Sequence, residues 1–213
     1  MIPASAYRDS TVAVFGLGRS GLAAVRALAA AGARVLADDD APDRREAAVA
    51  LGASAASLAD ADWPGIAALV LSPGVPFTHP APHPVVRAAR AAGVEVIGEI
   101  ELFARSLRPK GGVPAAGPRV VGITGTNGKS TTTALLGHML ARAGRAVEVG
   151  GNLGEAAVAL EPLGADGVYV LEMSSYQLDL TSSLVFDVAA LLNLTPDHID
   201  RHGDMAEIGR AHV

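Results

Sequence analysis

The sequence predicts an α/β protein made of two successive units. Short apolar segments rich in β-branched residues alternate with segments whose apolar residues recur at helical spacing. Two of the predicted strands are followed by a glycine-rich turn and then a helix, and a stretch rich in proline and glycine separates the two units. Alternation of this kind favours parallel sheets covered by helices.

Composition limits the kind of protein. The chain has 213 residues, of which 50% are hydrophobic and 18% charged, so we expect one large or two small folded domains. The formal net charge of −5 gives no indication of nucleic-acid binding. The absence of cysteine excludes disulfides, thiolate zinc sites and cysteine nucleophiles. No signal-like segment or membrane-length apolar run is present, so we expect a cytoplasmic protein that does not enter a membrane.

The first unit opens with a βαβ pattern. A buried strand is predicted at Thr11–Phe15, a helix from about Ser20 to Ala31, and a second strand at Arg34–Ala37. The turn Gly16–Gly21 reads Gly-x-Gly-x-x-Gly, and Asp38–Asp40 follow the second strand. Such a unit can hold a nucleotide or phosphosugar at the helix N-terminus. The alternatives are a tight turn that needs glycine for packing, and a solvated acidic turn.

The rest of the first unit continues the alternation. The loop Ser72–Pro76 lies after a strand, where ligands bind in open α/β sheets. We interpret His79 and His83 as loop residues rather than metal ligands. Residues 1–107 are therefore predicted to form a Rossmann-like, doubly wound domain, and Arg108–Pro118 a linker. The remaining predicted elements are helices at Pro42–Leu51, Pro84–Ala92 and Glu99–Leu107 and strands at Ala67–Leu71 and Val94–Ile97.

The second unit, residues 119–213, begins with the sequence GITGTNGKST between a predicted strand, Val120–Thr124, and a predicted helix, Thr132–Arg142. Backbone N–H groups of such a turn converge on an anion, Lys129 adds a full positive charge, and the hydroxyl of Ser130 or Thr131 can hold Mg²⁺. The pattern predicts a nucleoside triphosphate site of the P-loop type and hence a P-loop ATPase-type domain. Ile123 stands where the usual pattern has its first glycine. The predicted phosphate-binding residues are Gly125, Thr126, Asn127, Gly128, Lys129, Ser130 and Thr131.

Three predicted strands of the second unit end in polar residues. They are the strand before Gly125, the strand Gly167–Leu171 before Glu172, and the strand Val188–Leu192 before Asn193–His198. In a parallel sheet these ends lie at one edge, so Glu172 is a candidate magnesium ligand, and His198 is a candidate nitrogen ligand or hydrogen-bond donor to phosphate. A solvated strand end and a structural histidine are the alternatives. We also expect a short strand at Val147–Val149 with a turn at Gly150–Asn152, packing for His138 and a surface position for His202.

The motifs GTNGKST, LEMSSYQL and NLTPDHIDRHGD resemble those of the central domain of the Mur ligases, the ATP-dependent amide ligases of peptidoglycan synthesis. The first-unit motifs GLGRSG, SPGVP and GEIELF, together with LEMSSYQL, are similar to those of the branch that adds D-glutamate. The resemblance covers Thr11 to Asp204.

The resemblance implies a reaction. ATP phosphorylates the carboxylate of UDP-N-acetylmuramoyl-L-alanine, and the amine of D-glutamate attacks the acyl phosphate. It implies that Lys129 and Ser130 hold ATP phosphates and a first Mg²⁺, with Lys129 and His198 as the catalytic residues. Glu172 would be a metal ligand, and His198 would serve a second Mg²⁺. The implied substrate contacts are Asn152 and Ser174 near the muramoyl end, and Arg19, Ser20, Gly74 and Asp38 or Asp39 on the UDP moiety.

This sequence departs from the family pattern in several places. Some relatives have a basic residue after the second strand, where this chain has acids. A bridging carbamylated lysine is expected near position 212, where His212 stands, and a third domain is expected that the chain does not contain. Glu207–Val213 does not match the family, and one back-translation of it reads like a sequencing adapter, so we expect it to be non-native. The chain as written is thus expected not to ligate D-glutamate, and the full-length protein to be a monomer.

Other functions stay open at this point. They are a different member of the Mur ligases, a nicotinamide-dependent dehydrogenase based on Gly16–Gly21, and a non-catalytic nucleotide-binding module.

Overall fold

The computed structural model describes residues 1–107 and 117–212, and their strands form two parallel sheets. The first sheet has the order β3-β2-β1-β4-β5, with β1 at its centre. Its central strands are buried because helices cover both faces, as a doubly wound sheet requires. Its elements are β1 (Thr11–Phe15), α1 (Arg19–Ala30), β2 (Arg34–Asp38), α2 (Pro42–Ala50), β3 (Ser54–Ala55), β4 (Ala68–Leu71), α3 (Pro84–Ala91), β5 (Glu95–Ile97) and α4 (Glu99–Leu107).

The second sheet has the order β7-β8-β6-β9, again with all strands parallel. The strand before the second glycine turn, β6, lies between β8 and β9, so the ends of all three strands come together. The predicted α/β class is confirmed in both sheets. The elements are β6 (Arg119–Thr124), α5 (Lys129–Arg142), β7 (Val147–Gly151), β8 (Val168–Glu172), α6 (Ser175–Leu178), β9 (Val188–Leu191), α7 (Ile199–His202) and α8 (Met205–His212).

One of the apolar clusters contains residues of both sheets. Phe103 of α4 packs edge-on against Tyr169 of β8, with ring centroids 5.1 Å apart. The fully buried Glu101 accepts hydrogen bonds from the backbone N–H groups of Ser182 and Ser183, at 2.8 and 2.9 Å. Helix α4 therefore joins the two sheets through apolar packing and a buried carboxylate.

Several local expectations were wrong. Gly150 and Gly151 continue β7, because both pair with β8, and do not form a turn. His138 is exposed on α5 and does not pack, whereas His202 is buried and not on the surface. The two-residue strand β3 was too short to be recognised in the sequence.

The predicted domain limits stay a prediction. Most of the predicted linker, residues 108–116, lies outside the described residues. Residues 207–212 belong to α8, in which Ile208 is buried, and their expected non-native origin stays a prediction too. Within residues 1–107 and 117–212, no helix combines the length and apolar character needed to cross a bilayer.

Candidate functional site

The second glycine loop, Gly125–Thr131, connects β6 to α5. Gly125 and Gly128 have φ values of +131° and +84°, in the region that favours glycine. The first helical residue is Lys129, so the N–H groups of the α5 N-terminus lie next to the loop. Lys129 Nζ donates to the carbonyl oxygens of Gly125 and Thr126, at 2.7 and 2.9 Å. The positively charged Lys129 ammonium group therefore lies against the backbone of the loop.

Residues after β9 hold this loop in place. The side-chain amide of Asn193 donates to the carbonyl of Asn127 and accepts from its N–H, both at 2.9 Å. The Thr126 hydroxyl accepts from the N–H of Thr195 at 3.0 Å. An added Cβ at Gly125 would lie 3.0 Å from the Asn193 carbonyl oxygen. The loop and the end of β9 are therefore fitted to each other.

A cavity of about 270 Å³ lies over the loop, and both halves of the chain contribute to it. The first half supplies Pro73 and Gly74 from the loop after β4. The predicted strand ends do meet here, as the parallel topology requires. From the second half, the cavity is lined by Gly125, Thr126, Lys129, Asn152, Ser174, Ser175, Tyr176, Asp197, His198, His202, Ile208 and His212.

Glu172 is the buried carboxylate at the end of β8. One of its oxygens, Oε1, accepts from the side-chain amide of Asn152 at 2.7 Å. The other, Oε2, is buried and accepts no hydrogen bond from any described residue. A buried carboxylate oxygen without a donor is costly unless a cation neutralises it, so this group fits a role as magnesium ligand. Among the described residues, no three His, Asp or Glu side chains are close enough together to form a complete metal site.

His198 lies at the start of α7, with a left-handed φ of +50°. Its ring contacts the Tyr176 ring, with centroids 5.1 Å apart, and its Nε2 is 3.7 Å from an oxygen of Asp197. The same tyrosine also contacts His202, whose ring stacks on Tyr176 with centroids 5.4 Å apart. His198 therefore lines the cavity within an aromatic cluster that its position in the sequence did not reveal.

The first glycine loop, Gly16–Gly21, is tightly packed. A Cβ at Gly21 would overlap the Gly16 carbonyl oxygen, and one at Gly16 would lie 2.6 Å from Ser72 Cβ. At Gly18, by contrast, an added Cβ would meet no atom within 4 Å. The packing alternative therefore explains Gly16 and Gly21 but not Gly18.

The acids after β2 are engaged within the protein. Asp39 accepts from the N–H groups of Leu17 and Ala41, at 2.5 and 2.9 Å. Burial opposes ionisation of Asp39, but these hydrogen bonds and Arg44 outweigh it, so the pKa of Asp39 is lowered. Asp38 accepts from the N–H of Leu58 at 3.0 Å and pairs with Arg45. The alternative of a solvated acidic turn is wrong for Asp38 and Asp39, whose carboxylates are buried, whereas Asp40 is exposed.

The other predicted substrate residues lie between the two halves. Arg19 donates to the carbonyl of Asn152 across the interface at 2.8 Å. Ser20 Oγ lies 3.5 Å from Ser72 Oγ, beside the loop that carries Gly74. Ser174 caps α6, where its hydroxyl accepts from the N–H of Gln177. Gly74, Asn152 and Ser174 line the cavity itself, whereas Arg19 reaches it through Asn152 and Ser20 lies outside its lining.

The sequence did not reveal the roles of four residues at the site, which are Asn193, Thr195, Tyr176 and His202. Asn193 and Thr195 belong to the predicted polar strand end, but without a specific role. The signal for Asn193 was its position directly after a strand that neighbours the loop strand. His202 gave no such signal, since its burial depends on α6.

Comparison with known proteins identifies the class. Residues 10–98 match the family described as "Mur ligase MurD-like, N-terminal domain", and residues 123–213 match the "Mur ligase middle domain". The two matches together cover most of the chain, and the chain belongs to the Mur ligase family.

Individual relatives are more specific. The chain is 58% identical over 206 residues to the "UDP-N-acetylmuramoylalanine--D-glutamate ligase" of Caulobacter vibrioides (strain NA1000 / CB15N), covering 96% of this chain and 43% of that protein. Proteins of the same name from Phenylobacterium zucineum (strain HLK1) and Brucella abortus (strain 2308) are 58% and 53% identical, covering 97% and 96% of this chain and 44% and 43% of theirs. The chain thus spans less than half the length of the curated relatives it matches.

A solved structure has the same fold. It is the UDP-N-acetylmuramate:L-alanyl-gamma-D-glutamyl-meso-diaminopimelate ligase from Neisseria meningitides, with a TM-score of 0.55 at 20% identity, covering 95% of this chain and 66% of that one. At this identity the likeness concerns the fold alone.

Proposed function

We propose that this chain carries the nucleotide and metal sites of an ATP-dependent ligase that adds D-glutamate to UDP-N-acetylmuramoyl-L-alanine through an acyl phosphate. The names of relatives at 53–58% identity support the choice of reaction. The observation that carries the proposal is the cavity that Gly74 shares with Lys129, because a ligase must bring a substrate carboxylate to a nucleotide phosphate. Peptidoglycan precursor synthesis in the cytoplasm is part of the same proposal.

The second glycine loop would bind ATP. Lys129 supplies positive charge, Ser130 and Thr131 supply hydroxyls, and Gly125, Thr126, Asn127 and Gly128 supply a backbone that can approach phosphate closely. Magnesium, when bound, neutralises charge between the phosphates and the substrate carboxylate. Glu172, Ser130 and His198 would hold it. Asn152 keeps Glu172 oriented through the 2.7 Å hydrogen bond to Oε1.

The first half would bind the UDP-linked substrate. Gly18 offers open space at the helix N-terminus, and Arg19 and Ser20 follow it directly. Gly74, Asn152 and Ser174 would contact the part of the substrate that reaches the cavity. Asp38 and Asp39 would contribute by fixing the first glycine loop, since the Asp38 backbone carbonyl accepts from the Gly16 N–H and the Asp39 carboxylate accepts from the Leu17 N–H.

Calorimetric titration with Mg²⁺-ATP tests the nucleotide site. Lys129→Ala should weaken ATP binding by about 2 kcal/mol or more, the value of a charged hydrogen bond in a partly desolvated site. Arg142→Ala is the matched control, because Arg142 is an exposed cation at the opposite end of α5. Equal ATP affinity in the Lys129 variant and the parent would overturn the proposal.

NMR titration with UDP tests the substrate site. Shifts should cluster in Gly16–Gly21 and Ser72–Pro76. A parallel titration with NAD addresses the dehydrogenase alternative, which family membership already disfavours. Binding of NAD in place of ATP and UDP would reverse the assignment.

A further inference from the structure

The group formed by His198, Tyr176, Ser175 and His202, here called the histidine–tyrosine cluster, contains one buried histidine without an assigned role. His202 is 6% exposed, whereas His198 is largely exposed at the cavity. His202 Nε2 and the Ser175 hydroxyl form a buried hydrogen bond of 2.8 Å. His202 is thus a buried imidazole with a specific hydrogen-bond partner, and it lies close to His198, a candidate metal ligand. This arrangement suggests a role at the metal site.

The cluster joins two helices, α6 and α7, near the end of β8. Ser175 and Tyr176 are the first residues of α6, which begins soon after Glu172. His198 and His202 stand at the two ends of α7, and the N–H of His202 donates to the carbonyl of His198 at 3.1 Å. The Tyr176 ring is in contact with both imidazoles, at centroid distances of 5.1 and 5.4 Å. Movement of the His202 ring would therefore disturb the support of His198.

The backbone at His198 also needs support. Its φ of +50° lies in the left-handed region, which is uncommon for a residue with a side chain and costs free energy. Such a conformation persists where surrounding contacts fix it. The supporting contacts include the Asp197 carboxylate, which accepts from the His198 N–H at 2.9 Å, the Tyr176 ring, and the α7 turn that His202 closes.

We propose that His202 is a positioning residue for the metal site: its ring, which is bonded to Ser175, stacks on Tyr176 and through the Tyr176 ring fixes the orientation of the His198 imidazole toward the cavity. The inference rests on the proposed function, in which His198 is a metal ligand. Groups that orient a metal ligand typically change metal affinity 10–100-fold when they are removed. His202 acts through Tyr176, so we expect the lower end of that range, about tenfold.

Mn²⁺ affinity provides the test, measured by electron paramagnetic resonance on the full chain with a non-hydrolysable ATP analogue. His202→Leu fills the buried space without an aromatic face and should weaken Mn²⁺ binding about tenfold. His202→Phe keeps the ring that stacks on Tyr176 and should recover most of the affinity. Tyr176→Phe should bind like the parent, because the ring is retained. Thermal unfolding of each variant identifies the fraction that is folded.

The possible outcomes distinguish a failure of the positioning role of His202 from a failure of the proposed metal site. Parent-like Mn²⁺ affinity in His202→Leu, together with a loss in His198→Ala, would mean that His202 has a structural role only, and the proposed function would stand. Parent-like affinity in His198→Ala would overturn the metal assignment itself and the inference with it. Equal losses in His202→Phe and His202→Leu, at unchanged folded fraction, would also contradict positioning through the ring.

Discussion

The two glycine loops have the same strand–turn–helix pattern but are held in different ways. The first glycine loop is held by a buried anchor: the N–H of Leu17 donates to Asp39, which follows the neighbouring strand β2, and Gly21 packs on the Gly16 carbonyl. The second glycine loop is held by an exposed anchor, Asn193, which follows the neighbouring strand β9, and the Lys129 side chain donates to loop carbonyls. The first loop is therefore fixed by close packing and a buried hydrogen bond, whereas the second loop contains the positively charged Lys129 side chain.

The difference shows what a glycine motif can and cannot indicate. Both motifs predict a turn at a helix N-terminus, and both turns are present. Whether the turn offers anything to an anion depends on residues far away in the sequence, such as Asp39 for Leu17 and Asn193 for Asn127. The motif therefore predicts the backbone, and the neighbouring strand ends decide how much of it is free for a ligand.

The largest loss of unfolding free energy should come from adding a side chain at Gly21, where the first loop is most tightly packed. Gly21→Ala would put a Cβ within overlap distance of the Gly16 carbonyl oxygen, so backbone must move. We expect a loss of about 3 kcal/mol or more in the free energy of unfolding, at the upper end for overpacking. Denaturant unfolding measures it. Gly18→Ala is the control, because a Cβ there meets no atom within 4 Å, and equal losses in both variants would show that the two glycines are not distinguished by packing.

The sequence predicted those features of the fold that depend on local pattern, and not those that depend on contacts between distant segments. Strand and helix positions followed from apolar periodicity, and most limits were correct to within one to three residues. The continuation of β7 through Gly150 and Gly151 could not be predicted, because it comes from pairing with β8. Glycine is unfavourable within a strand, and here tertiary pairing overrides that preference.

The site was predictable in part for a related reason. Parallel strands place their ends at one edge, so the meeting of Lys129, Ser174 and His198 at one cavity follows from topology. The burial of His202 and the partners of Asp39 depend on contacts between distant segments. No local pattern in the sequence contains that information.

The next largest effect is a pH dependence of the unfolding free energy. It comes from Glu99, which lies at the contact between the two halves of the chain. Glu99 is fully buried, and burial raises its pKa from 4.5 to about 7, against the opposing effect of hydrogen bonds from Val158 and Ala157 and the charge of Arg19. A carboxyl group with a raised folded pKa destabilises the fold as pH rises from about 4.5 to about 7, because ionisation of the unfolded chain comes first. At about 1.4 kcal/mol per pKa unit, the loss is about 3 kcal/mol across that window.

Glu99→Gln should remove this dependence, since the glutamine oxygen can still accept from the Val158 N–H. The measurement is the free energy of unfolding of parent and variant at several pH values between about 4 and 8. Glu101→Gln is the matched comparison on the same helix. Burial raises the pKa of Glu101, but hydrogen bonds from Ser183, Ser182 and Arg105 outweigh burial, so the net pKa is lowered. The stabilisation from Glu101 should therefore be lost as pH falls, whereas that from Glu99 is lost as pH rises. If the unfolding free energies of both variants changed equally with pH, the opposite pKa shifts of the two carboxyl groups would be contradicted.

A smaller loss of unfolding free energy is expected from removing Asp39, the buried anchor of the first loop. Asp39→Ala leaves the N–H of Leu17 buried without an acceptor, which should cost about 2 kcal/mol. Because the pKa of Asp39 is lowered in the folded protein, its contribution is present above 3.8 and lost as pH falls below that value. Arg44→Ala is the control, since this partner is 3.5 Å away and its side chain is 55% exposed. A loss in the arginine variant as large as in the aspartate variant would mean that the ion pair, not the loop contact, is the anchor.

The smallest effect on stability should come from the anchor of the second loop, because Asn193 is exposed to solvent. Asn193→Ala removes two hydrogen bonds of 2.9 Å to Asn127, and water can replace both, so we expect a loss of about 1 kcal/mol in unfolding free energy. The effect on Mg²⁺-ATP binding should be larger than the effect on stability, because the freed loop must be ordered again when the nucleotide binds. Calorimetry and denaturant unfolding on the same variant compare the two quantities directly. Asn193→Asp, which keeps the acceptor for the Asn127 N–H, should fall between the alanine variant and the parent in ATP affinity. If Asn193→Ala lowered stability but left ATP affinity unchanged, β6 and α5 alone would shape the second loop for the nucleotide, and the exposed anchor would have no role in binding.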